Sequence, residues 1–122
     1  MSQAAIELKI LFVEDEADVR TVVTQMLEVL GCHVVVAEDC EHALALLREQ
    51  EIDLLISDVI MPDQRGPDLY QTAKEIKPDL PALFVSGYTE DMLQEVPQNS
   101  SVGFLRKPFS LKQLRAALEK LS

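Results

Sequence analysis

Leu54-Leu55-Ile56-Ser57-Asp58-Val59-Ile60-Met61-Pro62 is the stretch on which the fold turns. An apolar run delivers one carboxylate and is then stopped by a proline, and Gly66 breaks the chain again shortly after. Such a run fits a strand buried on both faces. Asp58 then stands at the strand's carboxyl end, where open α/β sheets place their ligand sites. An aspartate that only caps a loop would look the same in isolation, so the rest of the chain has to decide.

Toward the N-terminus, Ile6 to Val13 reads as a strand with Ile10-Leu11-Phe12-Val13 as its buried end, running straight into Glu14-Asp15-Glu16. Met1 to Ala5 reads as a short tail. Val19, Val22, Val23, Met26, Leu27 and Leu30 recur at the spacing of an amphipathic helix, and Gly31 ends it. Val34-Val35-Val36-Ala37 reads as a second buried strand. Asp39 is placed to cap a helix carrying Ala43, Leu44 and Leu47.

Toward the C-terminus, Pro67 sits just inside a helix with Leu69, Ala73 and Ile76 inward, ending near Pro78. Ala82-Leu83-Phe84-Val85 is the fourth strand and ends at Ser86-Gly87. Thr89 to Glu95 is a short helix candidate stopped by Pro97. Gly103-Phe104-Leu105-Arg106 is the fifth strand and ends at Lys107-Pro108. Ser110 and Gln113 have the spacing of a capping box, ahead of a stripe of Leu111, Leu114, Leu118 and Leu121. Strands and helices therefore alternate five times, which predicts a doubly wound α/β fold with a parallel sheet and helices on both faces. One domain over residues 6–122 is expected, with no second domain after it.

Composition narrows the function. The 122 residues are 48% hydrophobic and 26% charged, a globular profile. The net charge of −10 disfavours nucleic acid and anionic membranes as direct partners, because phosphate contacts need clustered Lys and Arg. It suits a cation or a basic surface. No apolar run is long enough to span a bilayer. Cys32 and Cys40 lack metal-ligand spacing and read as two small core or surface residues; with no signal-peptide pattern, they imply a reducing, cytoplasmic setting.

Four strand ends carry polar residues that a parallel sheet would bring to one edge: Glu14 and Asp15, Asp58, Ser86, and Lys107. The three carboxylates sum to −3. At about 4 Å and an effective dielectric of 20, each like pair costs roughly 4 kcal/mol, so something must offset them. Lys107 supplies +1 and a divalent cation would supply +2. Oxygen ligands without His or Cys select Mg²⁺, with Mn²⁺ able to substitute, over zinc. His33 and His42 lie outside the cluster.

Phe12-Val13-Glu14-Asp15-Glu16, Ser57-Asp58-Val59-Ile60-Met61-Pro62, Ser86-Gly87 and Lys107-Pro108-Phe109 together make the chain resemble a receiver domain of two-component response regulators, of the chemotaxis type, over residues 6–122. The resemblance implies a flavodoxin-like (βα)5 sandwich with a five-stranded parallel sheet of order 2-1-3-4-5. It implies that Asp58 accepts a phosphoryl group from a phosphohistidine on a histidine kinase or a histidine phosphotransfer domain. Glu14, Asp15 and the Ile60 backbone carbonyl would join Asp58 in holding Mg²⁺. Ser86 would supply the hydroxyl that moves to the phosphoryl group, Lys107 its cationic partner, and Phe104 the aromatic that turns. Lys107-Pro108 would be a cis peptide. The face formed by the helix expected over Thr89 to Glu95, the fifth strand and the last helix would meet a downstream protein.

The chain departs from the family's commoner pattern in small ways. Glu14 stands for Asp, Ser86 for Thr and Phe104 for Tyr, so no phenolic hydroxyl serves the switch. Ile60 and Tyr88, two residues after Asp58 and Ser86, would flank the path of attacking water; being bulky, they predict slow self-dephosphorylation. The wording around Ser86 to Glu90 and Phe104 to Ser110 resembles receivers attached to hybrid histidine kinases.

Other classes fit less well. A Mg²⁺-dependent phosphatase of the haloacid-dehalogenase kind needs a second Asp where Ile60 stands. A flavodoxin-like cofactor binder needs a glycine-rich loop where Glu14-Asp15-Glu16 stands. A degenerate receiver used only for protein contact would not need Asp15, Asp58, Ser86 and Lys107 together. A receiver as an isolated domain would be a self-phosphorylating and self-dephosphorylating switch and not an enzyme; as part of a hybrid histidine kinase the question stays open.

Overall fold

The computed structural model describes residues 5–60, 65–87 and 100–121. Its elements are β1 (Lys9–Val13), α1 (Ala17–Val29), β2 (His33–Ala37), α2 (Cys40–Glu49), β3 (Leu54–Asp58), α3 (Gly66–Ile76), β4 (Ala82–Ser86), β5 (Val102–Arg106) and α4 (Leu111–Leu121). The helix expected over Thr89 to Glu95, with Pro97 after it, lies outside the described residues. All strand pairs are parallel, in the order β2-β1-β3-β4-β5. This is the doubly wound, flavodoxin-like α/β fold that the alternation and the resemblance predict.

Side chains along each strand alternate between two cores, as strand geometry requires. Leu11, Val13, Leu55, Ala82 and Phe84 face one core, which α2 and α3 close with Ala43, Leu47, Leu69 and Ala73. Ile10, Phe12, Leu54, Ile56, Leu83 and Val85 face the other, which α1 and α4 close with Val23, Leu27, Leu114 and Leu118. β1, β3 and β4 are thus apolar on both faces.

Local signals hold in detail. Asp39 caps α2 by accepting from the His42 N–H at 2.8 Å. Ser110 and Gln113 exchange the two bonds of a capping box at 2.8 and 3.1 Å. Gly31 follows α1 with φ +100°, a conformation that favours glycine. Cys32 and Cys40 are buried in opposite cores and are not joined by a disulfide. Lys107-Pro108 is cis.

Three expectations need correction. β2 is not a buried strand: it is the edge of the sheet, and only Ala37 in it is buried. Val22 does not belong to the buried stripe of α1, being 56% exposed. Leu111, 39% exposed, is likewise outside the core. One anchor went unread: buried Tyr70 donates its hydroxyl to the Leu80 carbonyl at 2.8 Å and meets Phe84 edge-on. Among the described residues no helix is long and apolar enough to cross a membrane.

Candidate functional site

Register builds the site. Val13 pairs with Ser57, Asp58 with Val85, and Ser86 with Arg106. Glu14, Asp58, Ser86 and Lys107 therefore leave adjacent strands at the same carboxyl edge, and the Lys107 N–H bonds the Ser86 carbonyl at 2.8 Å. The Lys107 ammonium lies 3.1 Å from Asp58 Oδ2 and 3.4 Å from Glu14 Oε1. Asp58 Oδ1 accepts from the Ile60 N–H at 3.1 Å, and Glu14 Oε2 accepts from the Glu16 N–H at 3.2 Å. The result is a carboxylate–ammonium–carboxylate row at the sheet's edge.

The two charges that can be ranked pull in ways that fit this row. Glu14 is only 3% exposed, and burial pushes its carboxyl above the ordinary value of 4.5; the neighbouring Asp15 carboxyl pushes the same way, while the Glu16 N–H and Lys107 oppose. For Lys107 burial disfavours the charge, yet Asp58 and then Glu14 outweigh it and hold the ammonium above its usual range. For Glu14 the dominant cost is that of taking a carboxylate out of water, and the neighbouring Asp15 adds to it.

That is the observation against which a metal can be tested. Asp15 is exposed beside Glu14, and among the described residues no three His, Cys, Asp or Glu side chains close into one cage. Lys107 stands between Glu14 and Asp58 instead. The donors are nevertheless all hard oxygens, and three carboxylates with one ammonium leave −2, which one divalent cation matches. That donor chemistry is the kind a hard cation such as Mg²⁺ or Mn²⁺ prefers.

Of the remaining expected residues, only some join this row. Ser86 is fully buried at the end of β4. Phe104 pairs with Phe84 across β4 and β5. With Val102, Gly103, Ala117 and Leu121 it lines a cavity of about 440 Å³. Ile60 is 39% exposed next to Asp58. Tyr88 lies outside the described residues, as do Met61 and Pro62. His33 and His42 are exposed and stand apart from the row.

Two contributors escaped the sequence. Gly66 was legible only as a chain breaker, but it is a close approach: a Cβ there would lie 2.2 Å from the Asp58 carbonyl oxygen. Its N–H bonds the Val59 carbonyl at 2.7 Å, just past the end of β3. Arg20, half-buried on α1, reaches back to the carbonyls of Glu14 and Asp15 at 2.8 and 3.5 Å. An arginine one helical turn past an acidic pair was the only available hint.

An open parallel sheet with acids and a lysine gathered at its carboxyl edge defines a class of α/β signalling and ligand-binding domains. The family model of the response regulator receiver domain matches residues 10–119, and the chain belongs to that family. It is similar to the sensor kinase CckA of Brucella abortus (39% identical, 92% of this chain, 12% of CckA) and to the response regulator receiver protein CpdR of the same organism (34%, 93% and 95%). The chain therefore spans a small part of the first relative and nearly all of the second. Among solved structures it resembles the chemotaxis protein CheY4 of Vibrio cholerae (28% identical, TM-score 0.85, covering 96% of this chain and 100% of that one). It also resembles the receiver domain of a hybrid histidine kinase CckA (40%, TM-score 0.77, 93% and 99%).

Proposed function

We propose that this receiver domain takes a phosphoryl group from a phosphohistidine onto Asp58 in a Mg²⁺-dependent phosphorelay step. The observation that carries the reading is the Lys107 ammonium held 3.1 Å from Asp58 at the sheet's carboxyl edge. An Asp58 oxygen attacks phosphorus, the bond from phosphorus to the donor's imidazole nitrogen breaks, and that nitrogen keeps the electron pair. Lys107 balances charge on the phosphoryl oxygens. The Ile60 N–H keeps the other Asp58 oxygen oriented. Glu14, Asp15, Asp58 and the Ile60 carbonyl would hold Mg²⁺, which when bound would supply further charge neutralisation.

The added phosphoryl group brings about −2 in charge and new acceptor oxygens. Ser86 bonds one of them, and the space beside β5 lets Phe104 turn inward, changing the surface around β5 and α4 that a downstream protein reads. The donor is a histidine kinase or a histidine phosphotransfer domain, in the cytoplasm or on the cytoplasmic side of a membrane. Similarity to both a sensor kinase and a receiver protein supports either setting, a hybrid kinase or a separate regulator. The domain acts as a switch and not as an enzyme in its own right, with no direct contact to nucleic acid or membrane.

Intact mass tests the reading, using wild type and Asp58→Asn incubated with acetyl phosphate with and without Mg²⁺. A gain of one phosphoryl group that needs both Asp58 and Mg²⁺ is expected. No gain in wild type with Mg²⁺ bound would leave a contact-only domain. Bulky Ile60 and Tyr88 also predict a phosphorylated form that decays slowly; a half-life of seconds by the same mass assay would overturn that part.

A further inference from the structure

Arg20 is the fourth residue of α1, so its cation sits in the first turn, where the helix dipole disfavours positive charge. Something else must hold it there. Its Nη1 donates to the Glu14 carbonyl at 2.8 Å and, at longer range, to the Asp15 carbonyl at 3.5 Å. The other polar points of Glu14 are also tied. Its N–H bonds the Ala37 carbonyl at 3.0 Å, and its carboxylate is shared by the Glu16 N–H and Lys107. The α1 N-cap, Glu16, makes no side-chain capping bond of its own. Arg20 is therefore the side chain that ties the acidic turn to the helix that follows.

Resting on the receiver reading above, we propose that Arg20 is a positioning residue for cation binding: its guanidinium pins the peptide planes of Glu14 and Asp15, which fixes where their carboxylates point. Both carbonyls are held by one charge-assisted donor, while the Glu14 carboxylate meets Lys107, which also meets Asp58. The reach belongs to the arginine fork, which offers several donors in a fixed plane; a lysine ammonium is a single point. Arg20 touches neither the phosphoryl group nor the ion. It acts as outer partners of metal ligands do, through the aim of the ligands it holds, and removal of such a partner lowers metal affinity about 10–100-fold.

The test is Mg²⁺ affinity of the unphosphorylated protein by titration calorimetry, for wild type, Arg20→Ala, Arg20→Gln and Arg20→Lys, beside thermal melts in EDTA and the rate of mass gain from acetyl phosphate. Arg20→Ala and Arg20→Gln should bind Mg²⁺ about tenfold or more weakly, with Arg20→Lys recovering part of the loss. The affinity loss should exceed what any change in melting temperature accounts for. If Arg20→Ala fails to fold, Arg20→Gln carries the comparison. Affinities within twofold of wild type in folded variants would overturn the proposal and leave Arg20 a structural tie. Failure of the parent reading looks different. Wild type that binds Mg²⁺ yet gains no phosphoryl group refutes phosphoacceptance while the affinity comparison still judges Arg20. Wild type that binds no Mg²⁺ refutes both.

Discussion

Glu14 carries the site's electrostatic burden. Its carboxyl is nearly fully buried, and burial raises it above 4.5 despite the Glu16 N–H and Lys107. The folded state then holds a proton on Glu14 more tightly than the unfolded chain does. Its contribution to stability is greatest below the ordinary value and is lost as pH rises through the raised one. Glu14→Gln keeps the shape and an oxygen for the Glu16 N–H while removing the charge. In EDTA, wild type should lose more stability than Glu14→Gln between about pH 4.5 and 7. Urea denaturation across that range measures it, and parallel curves for the two proteins would contradict the assignment. Added Mg²⁺ should then stabilise wild type more than the variant at pH 7.

Elements aim these residues, and the tightest aim is at the start of α3. Gly66 packs its backbone against the Asp58 carbonyl, and a methyl group there would sit 2.2 Å from that oxygen. The obstacle is backbone, so relief requires β3 and α3 to part. Gly66→Ala should cost about 1–3 kcal/mol in urea denaturation. Gly87→Ala, whose Cβ would find among the described residues only the Lys107 side chain at 3.9 Å, should stay within about 0.5 kcal/mol. The contrast separates a contact that a sequence hides from a turn signal that it shows. Strand and helix order was legible because apolar runs and caps are local, and Glu14, Asp58 and Lys107 were legible because each ends such a run. Val22, Leu111 and β2 were misplaced because periodicity ranks faces without saying how wide the covering layer is. Arg20 was invisible because an arginine on a polar helix face has the same pattern whether it meets water or a carbonyl.

Across the whole molecule the site straddles two kinds of support. Glu14 and Asp58 hang from β1 and β3, interior strands whose apolar residues are fully buried on both faces. Lys107 and Phe104 hang from β5, an edge strand that is only half-buried and flanked by a cavity of about 440 Å³. Opening free energies follow burial, from near zero in loosely covered elements to the global value in the core. Native-state hydrogen exchange should therefore find the slowest amides in β1 and β3, at Leu11, Phe12, Leu55 and Ile56, and faster ones at Phe104 and Leu105. A switch needs this inequality: an acceptor held still by the interior, beside a strand that can move when the charge at the edge changes. Equal protection in β3 and β5 would mean that β5 opens only with the whole fold, and the surface around Phe104 would then lack the freedom to report on Asp58.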